Sequence, residues 1–189
     1  MTTMTAAAAA PTTATWAIDP AHTEVEFSVR HLMISNVKGR FGTVKGEVVL
    51  DSTIPGTAQI DVGIDVTSID TREEKRDAHL RSADFFDAEH FPTMTFRGGK
   101  FSGDTEGEFK LTGDLTIRGV TRPITLDVTF EGAGNDPWGG TRRGFSAKGK
   151  LIRSAFGLEW NAALETGGVV VGDEVKITIN TELVLQKQA

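Results

Sequence analysis

Residues 59–66, QIDVGIDV, decide how the rest of the chain is read. Ile60, Val62, Ile64 and Val66 alternate with Asp61 and Asp65, so an extended backbone puts the apolar side chains on one face and the carboxylates on the other. That is the signature of a half-buried strand, and it recurs in both directions. Upstream, Val25, Phe27 and Val29 oppose Glu24, Glu26, Ser28 and Arg30, and the same phase carries His31 inward. Val37, Gly39 and Phe41 are followed by Val44, Gly46, Val48 and Leu50 with the parity shifted by one, which predicts a bulge at Gly42. Downstream the inward sets are Met94 and Phe96; Phe109, Leu111, Leu115 and Ile117; Ile124, Leu126, Val128 and Phe130; Phe145, Ala147, Gly149 and Leu151; and Val175 to Leu185 at every second residue. The glycine-rich segments 97–108, RGGKFSGDTEGE, and 131–142, EGAGNDPWGGTR, read as turn and loop, with Trp138 capping the loop or meeting a partner, the cap preferred. About eight strands with mostly short connections predict an all-β fold, an eight-stranded antiparallel up-and-down barrel, with a sandwich as its rival. A barrel of that strand number is wide enough for one small or slender ligand.

One segment breaks the period: 71–92, TREEKRDAHLRSADFFDAEHFP. It predicts a helical insertion at about 71–90, with the helix itself over 72–82, Asp70 or Thr71 as N-cap, Thr71 and Glu74 as a capping box, and Pro92 barring continuation. Arg76, His79, Leu80 and Ala83 share one side. So short a helix needs support, so Leu80, Phe85 and Phe86 are expected to pack on the sheet as a lid or flank.

The 189 residues suit one domain, placed at 16–187 behind a disordered tail at 1–15. The net charge of −6 argues against a nucleic-acid partner, and no apolar run is long enough for a membrane helix. The start, MTTMTAAAAAPTTATW, lacks a basic region before its weakly apolar alanines, and the chain has no cysteine, so a cytoplasmic location is expected. Phosphate loop, dinucleotide fingerprint and H-E-x-x-H are all missing; GFSAKG at 144–149 lies in a strand, and Ser35 and Lys38 would face opposite ways. Four histidines, His22, His31, His79 and His90, are the candidates for a general base or a metal site. Asp19, His22 and His31 could gather ligands, but their spacing is not diagnostic and no metal is expected.

Eleven phenylalanines and no tyrosine would give an interior of Phe27, Phe41, Phe96, Phe109, Phe130 and Phe145 without a single phenol. Such rings can fill a barrel or line a cavity that holds an apolar guest, and strand phase does not separate the two.

The segments 18–41, IDPAHTEVEFSVRHLMISNVKGRF; 76–96, RDAHLRSADFFDAEHFPTMTF; 111–128, LTGDLTIRGVTRPITLDV; and 164–179, LETGGVVVGDEVKITI, closely resemble the YceI-like family of lipocalin-like polyisoprenoid-binding proteins. The resemblance runs from about Trp16 onward. It implies an extended eight-stranded barrel whose apolar tunnel holds a polyisoprenoid or similar chain, and it does not imply catalysis. Where such sequences usually read R-x-D-F-G, this chain has RSAFG, with Ala155 in place of the acid. The resulting expectation is a non-enzymatic carrier, without a cofactor, of an isoprenoid lipid, quinone tail or related chain, whose edge and rim surfaces could pair in a homodimer. Phe27, Val29, Phe41, Phe96, Leu111, Leu126 and Phe145 would line the tunnel, with Phe85 and Phe86 as its anchor. His31, Arg76, His79 and Asp84 are the expected polar end. The alternative is an enzyme on an apolar substrate with His79 or His31 as general base.

Overall fold

A computed structural model describes residues 13–51, 53–54, 56–163 and 168–187. The strands are β1 (Thr13–Ile18), β2 (Glu24–His31), β3 (Ser35–Phe41), β4 (Val44–Asp51), β5 (Gln59–Asp65), β6 (Ile69–Asp70), β7 (Thr93–Gly103), β8 (Glu108–Ile117), β9 (Val120–Asn135), β10 (Thr141–Ile152) and β11 (Val171–Leu185), with one helix, α1 (Glu74–Arg81), between β6 and β7. Three pairs are single staves broken once. β1 and β2 are interrupted by a 3-10 turn at Pro20–His22, β3 and β4 at Gly42, and β5 and β6 by a turn at Val66–Ser68. Counted as staves, the sheet is a closed eight-stranded antiparallel barrel in which each stave pairs with the next and β11 closes on β1 and β2. The parity shift at Gly42 is therefore a true break: Phe41 pairs with Val25 before it and Val44 with Ile64 after it.

The strands run further than hydrophobic alternation suggests. β1 starts at Thr13, whose Cα partner is Asp51, so three residues of the expected tail belong to the barrel; residues 1–12 lie outside the described residues, as do 164–167 of the LETGG segment. All of RGGKFSG is β7, and EGAGN ends β9. Register shifts between Arg97 and Lys100 and between Gly144 and Phe145 absorb these glycines as bulges within long, twisted strands. Trp138 does not cap its turn: Asp136 does, accepting from Trp138 N and Gly140 N, while the indole is 86% exposed.

Helix α1 is capped by Glu73, whose carboxylate accepts from the backbone N of Lys75 and Arg76. The capping box expected from Thr71 and Glu74 does not form. Thr71 is buried, and its N and Oγ1 both donate to Asp77 Oδ1, at 2.9 and 2.5 Å. Arg72 takes the left-handed φ of 63° that lets the chain turn from β6 into the helix. Arg81 anchors the far end through Nε to Thr67 O and Nη2 to Ile69 O. A buried polar network, together with Leu80, Phe85 and Phe86, thus docks this charged helix on the barrel.

At the opposite end Arg142 ties three segments together, bonding Asp19 Oδ2 (2.5 Å), Asp136 Oδ2 (2.9 Å) and Glu182 Oε2 (2.9 Å). That guanidinium, with His22, holds the Asp19 carboxyl at about 2, below its ordinary 3.8. A depressed carboxyl pKa stabilises the fold above the unfolded value and loses that stabilisation as pH falls from about 4 through 2. Asp19→Asn is expected to cost about 1 kcal/mol at pH 7, less than the full shift implies because solvent screens the pair. Urea unfolding at several pH values should show variant and wild type converging toward pH 2.

Candidate functional site

The inward faces of the strands enclose a cavity of about 720 Å³. It exists because large side chains lie back along the wall where glycine lets them. The Phe27 ring covers its cross-strand neighbour Gly39, where a Cβ would stand 2.4 Å from Phe27 Cζ, and Phe96 covers Gly113 in the same way. The rings therefore coat the barrel instead of filling it. Along β10 the lining runs from Arg143 to Leu151, eight steps of roughly 3.3 Å or about 26 Å. Strand tilt shortens that to roughly 20 Å along the barrel axis, so the volume has a mean section of about 36 Å², which suits one slender chain.

The two ends differ. Beneath α1 the cavity is stoppered by Leu80, Phe85, Phe86, Leu158 and Arg153. Trp160 seals this end from outside, its ring 4.7 Å from that of His79 and 5.3 Å from that of Phe85. At the other end the lining includes the exposed residues Thr13, Ile54, Gly56 and Thr105, together with Asp51, and this is the mouth.

The residues expected to meet a ligand, Phe27, Val29, Phe41, Phe85, Phe86, Phe96, Leu111, Leu126 and Phe145, all line the cavity; Phe130, expected in the barrel interior, does not. The expected polar end is not brought together there. Arg76 donates through Nε to Thr71 Oγ1 and through Nη2 to Thr71 O. His79 bonds Asp84 at 2.7 Å and rests edge-on against Phe85, outside the cavity wall. His31 sits at the last pair of β2, opposite Ser35 and Val171, beyond the lining. Neither histidine proposed as a general base therefore faces the space where an apolar substrate would lie. His90 bonds Asp87, which raises its pKa, and is exposed. His22 joins Asp19 and Glu182, whose ligand atoms lie within 4.8 Å of one another, but Arg142 already supplies positive charge to both carboxylates.

The arginines that do line the cavity are Arg143 near the mouth and Arg153 at the stopper. Extending the period of Phe145, Ala147, Gly149 and Leu151 by one step at each end lands on them, a signal the sequence already contained. Arg153 is 6% exposed and donates to four carbonyls, those of Gly172, Leu158, Trp160 and Val171. Burial pushes its pKa down, with Asp173 opposing. With alanine at 155, no carboxylate lies within ion-pair distance of it among the described residues, and the carbonyls take that place. Arg143 lies over the rings of Trp16 (5.4 Å) and Phe130 (5.5 Å) and pairs with Glu106 at 3.2 Å.

A model of the YceI-like domain matches residues 16–183. A UPF0312 protein of Vibrio parahaemolyticus is 42% identical over 138 residues, 73% of each chain. The Campylobacter jejuni YceI protein superimposes with a TM-score of 0.69 at 34% identity, covering 84% of this chain and 90% of that one. A polyisoprenoid binding domain from Saccharophagus degradans, 17% identical, gives a TM-score of 0.66 over 90% of this chain and 98% of that domain, a likeness of fold. No helix among the described residues is long and apolar enough to cross a membrane.

Proposed function

The chain belongs to the YceI-like family, and from that premise we propose that it is a binding protein that sequesters one long apolar chain, of isoprenoid type, inside its barrel. The observation that carries this reading is the cavity: narrow, about 720 Å³, and walled by aliphatic and phenylalanine side chains over the length of the barrel. Each methylene moved from water into such a wall contributes about 0.8 kcal/mol, so a chain gains affinity with length while a compact polar substrate finds few partners. The Saccharophagus degradans protein of like fold is a polyisoprenoid binding domain, in keeping with this class of ligand. The reading is of a carrier, which the predominantly apolar lining supports.

Purified protein, extracted with organic solvent and analysed by mass spectrometry, is expected to release an isoprenoid lipid in near-stoichiometric amount. Stripped protein should take up added isoprenoid hydrocarbon. Protein that yields no apolar molecule and takes none up would end the proposal.

A further inference from the structure

Among the described residues, one buried polar side-chain atom has no hydrogen-bond partner, and it belongs to the cavity wall. Trp16, on β1, lines the cavity, is 7% exposed, and its Nε1–H is buried without an acceptor among the described residues. Folded proteins leave few such donors, because an indole N–H removed from water keeps its desolvation penalty until something accepts from it. The chain already offers a near neighbour of suitable chemistry. The Arg143 guanidinium lies over the same indole, with Glu106 as its ion-pair partner, and its side chain is 31% exposed, so it can shift without unpacking the wall. The two residues approach across β11, where Trp16 has Leu185 as its Cα partner and Arg143 has Leu183, two residues along the same face.

We infer that Trp16 and Arg143 form the polar subsite of the cavity and take a neutral, carbonyl-type oxygen at the head of the bound chain, whose apolar tail runs inward toward α1. This rests on the reading of the barrel as a carrier of an apolar chain and adds to it a direction and a head-group class. The direction follows from position, since Trp16 and Arg143 lie toward the mouth and the stopper beneath α1 is made of Leu80, Phe85, Phe86 and Leu158. The class follows from charge. The Glu106 carboxylate offsets Arg143, and Asp51 lines the same end with its carboxylate held by Thr53 N (2.8 Å) and Thr53 Oγ1 (2.6 Å). A phosphate entering here meets one cation and two carboxylates, whereas a carbonyl oxygen meets two N–H donors and adds no charge.

Three ligands on one geranylgeranyl chain test this: the hydrocarbon, the methyl ketone and the monophosphate, each competed against a fluorescent apolar probe. Wild type is expected to bind the ketone about tenfold more tightly than the hydrocarbon, with the phosphate weakest. Trp16→Phe keeps a ring beneath Arg143 and removes the donor, so the ketone should fall to within about twofold of the hydrocarbon when both are measured on the variant itself. Arg143→Met, which keeps an apolar side chain over the rings, should shift the ketone in the same direction, and it decides the matter should the tryptophan variant not fold. Equal binding of hydrocarbon and ketone by wild type, a preference for phosphate, or a ketone preference that survives both substitutions would overturn the subsite and leave the carrier reading standing. Failure of all three ligands to bind wild type would instead overturn both.

Discussion

Ile177→Trp is expected to leave the barrel folded and to remove most of its affinity for a long apolar chain. Ile177 lies midway along β11, opposite Gly149 on β10 and Phe27 on β2, and lines the cavity. At a close-packed position so large an enlargement costs about 1–3 kcal/mol through strained rotamers and backbone shifts. Over an open lumen the indole enters space no atom occupies, so the unfolding free energy should stay within about 0.5 kcal/mol of wild type or rise. It would, however, occupy the narrow section that a chain must pass. Displacing roughly five chain carbons at about 0.8 kcal/mol each forfeits about 4 kcal/mol, a loss of several hundredfold in Kd. Urea unfolding and probe displacement measured on the same preparation separate the two effects. Destabilisation without a change in binding would mean that Ile177 belongs to a filled core, and the carrier reading would lose its central observation.

What could be read in advance was whatever depends on period and local chemistry. Ile60, Val62 and Ile64 announce a strand wherever they fall, and the parity shift across Gly42 marks a break without reference to any partner strand. The inward faces, and with them the lining residues from Phe27 to Phe145, follow directly. Whether those faces meet or stand apart does not follow, because it depends on cross-strand register. Gly39 must lie opposite Phe27, and Gly113 beneath Phe96, before the rings can fold back. That information appears only when the strands are paired.

The misplaced polar end has a similar origin. In sequence, Arg76, His79 and Asp84 form a charged cluster beside two phenylalanines, which resembles a head-group site. In space their bonding capacity is used locally, Arg76 on Thr71 and His79 on Asp84, so the cluster fastens the stopper and offers nothing inward. Arg143 is missed for the opposite reason, since the glycine-rich segment 131–142 reads as a loop and sets the apparent start of the strand at Phe145, one step short of it. A donor that looks free in sequence is often claimed by a neighbour, and one that looks like loop chemistry can face the lumen once a bulge restores the strand.

Arg153→Met carries the largest expected loss of stability. The side chain sits at the start of a short 3-10 turn, Arg153–Phe156, that ends in Gly157 at a left-handed φ of 77°. From there it reaches two stretches of backbone at once: Leu158 O at 2.5 Å and Trp160 O at 3.0 Å on one side, Gly172 O at 2.9 Å and Val171 O at 3.4 Å on the other. Ser154 fastens the same joint by donating N and Oγ to Asp173. Methionine preserves an unbranched apolar stem and removes these donors from Leu158 O, Trp160 O and Gly172 O, while Val171 O keeps Asn161 Nδ2, in a region where Phe156 and Leu158 are buried. At about 1–3 kcal/mol for each buried group left unpaired, and allowing that water reaches some of them, the variant should lose about 3 kcal/mol or more. The loss should also be local, because Trp160 packs on His79 and Phe85, so freeing the 158–160 segment opens the stopper beneath α1. Hydrogen exchange is expected to rise first in 154–160 and in α1, with β7 to β9 protected until global unfolding. A bound chain should leave faster in this variant than in wild type. Stability within about 1 kcal/mol of wild type, with exchange at α1 unchanged, would show that the arginine is not what holds the deep end of the cavity shut.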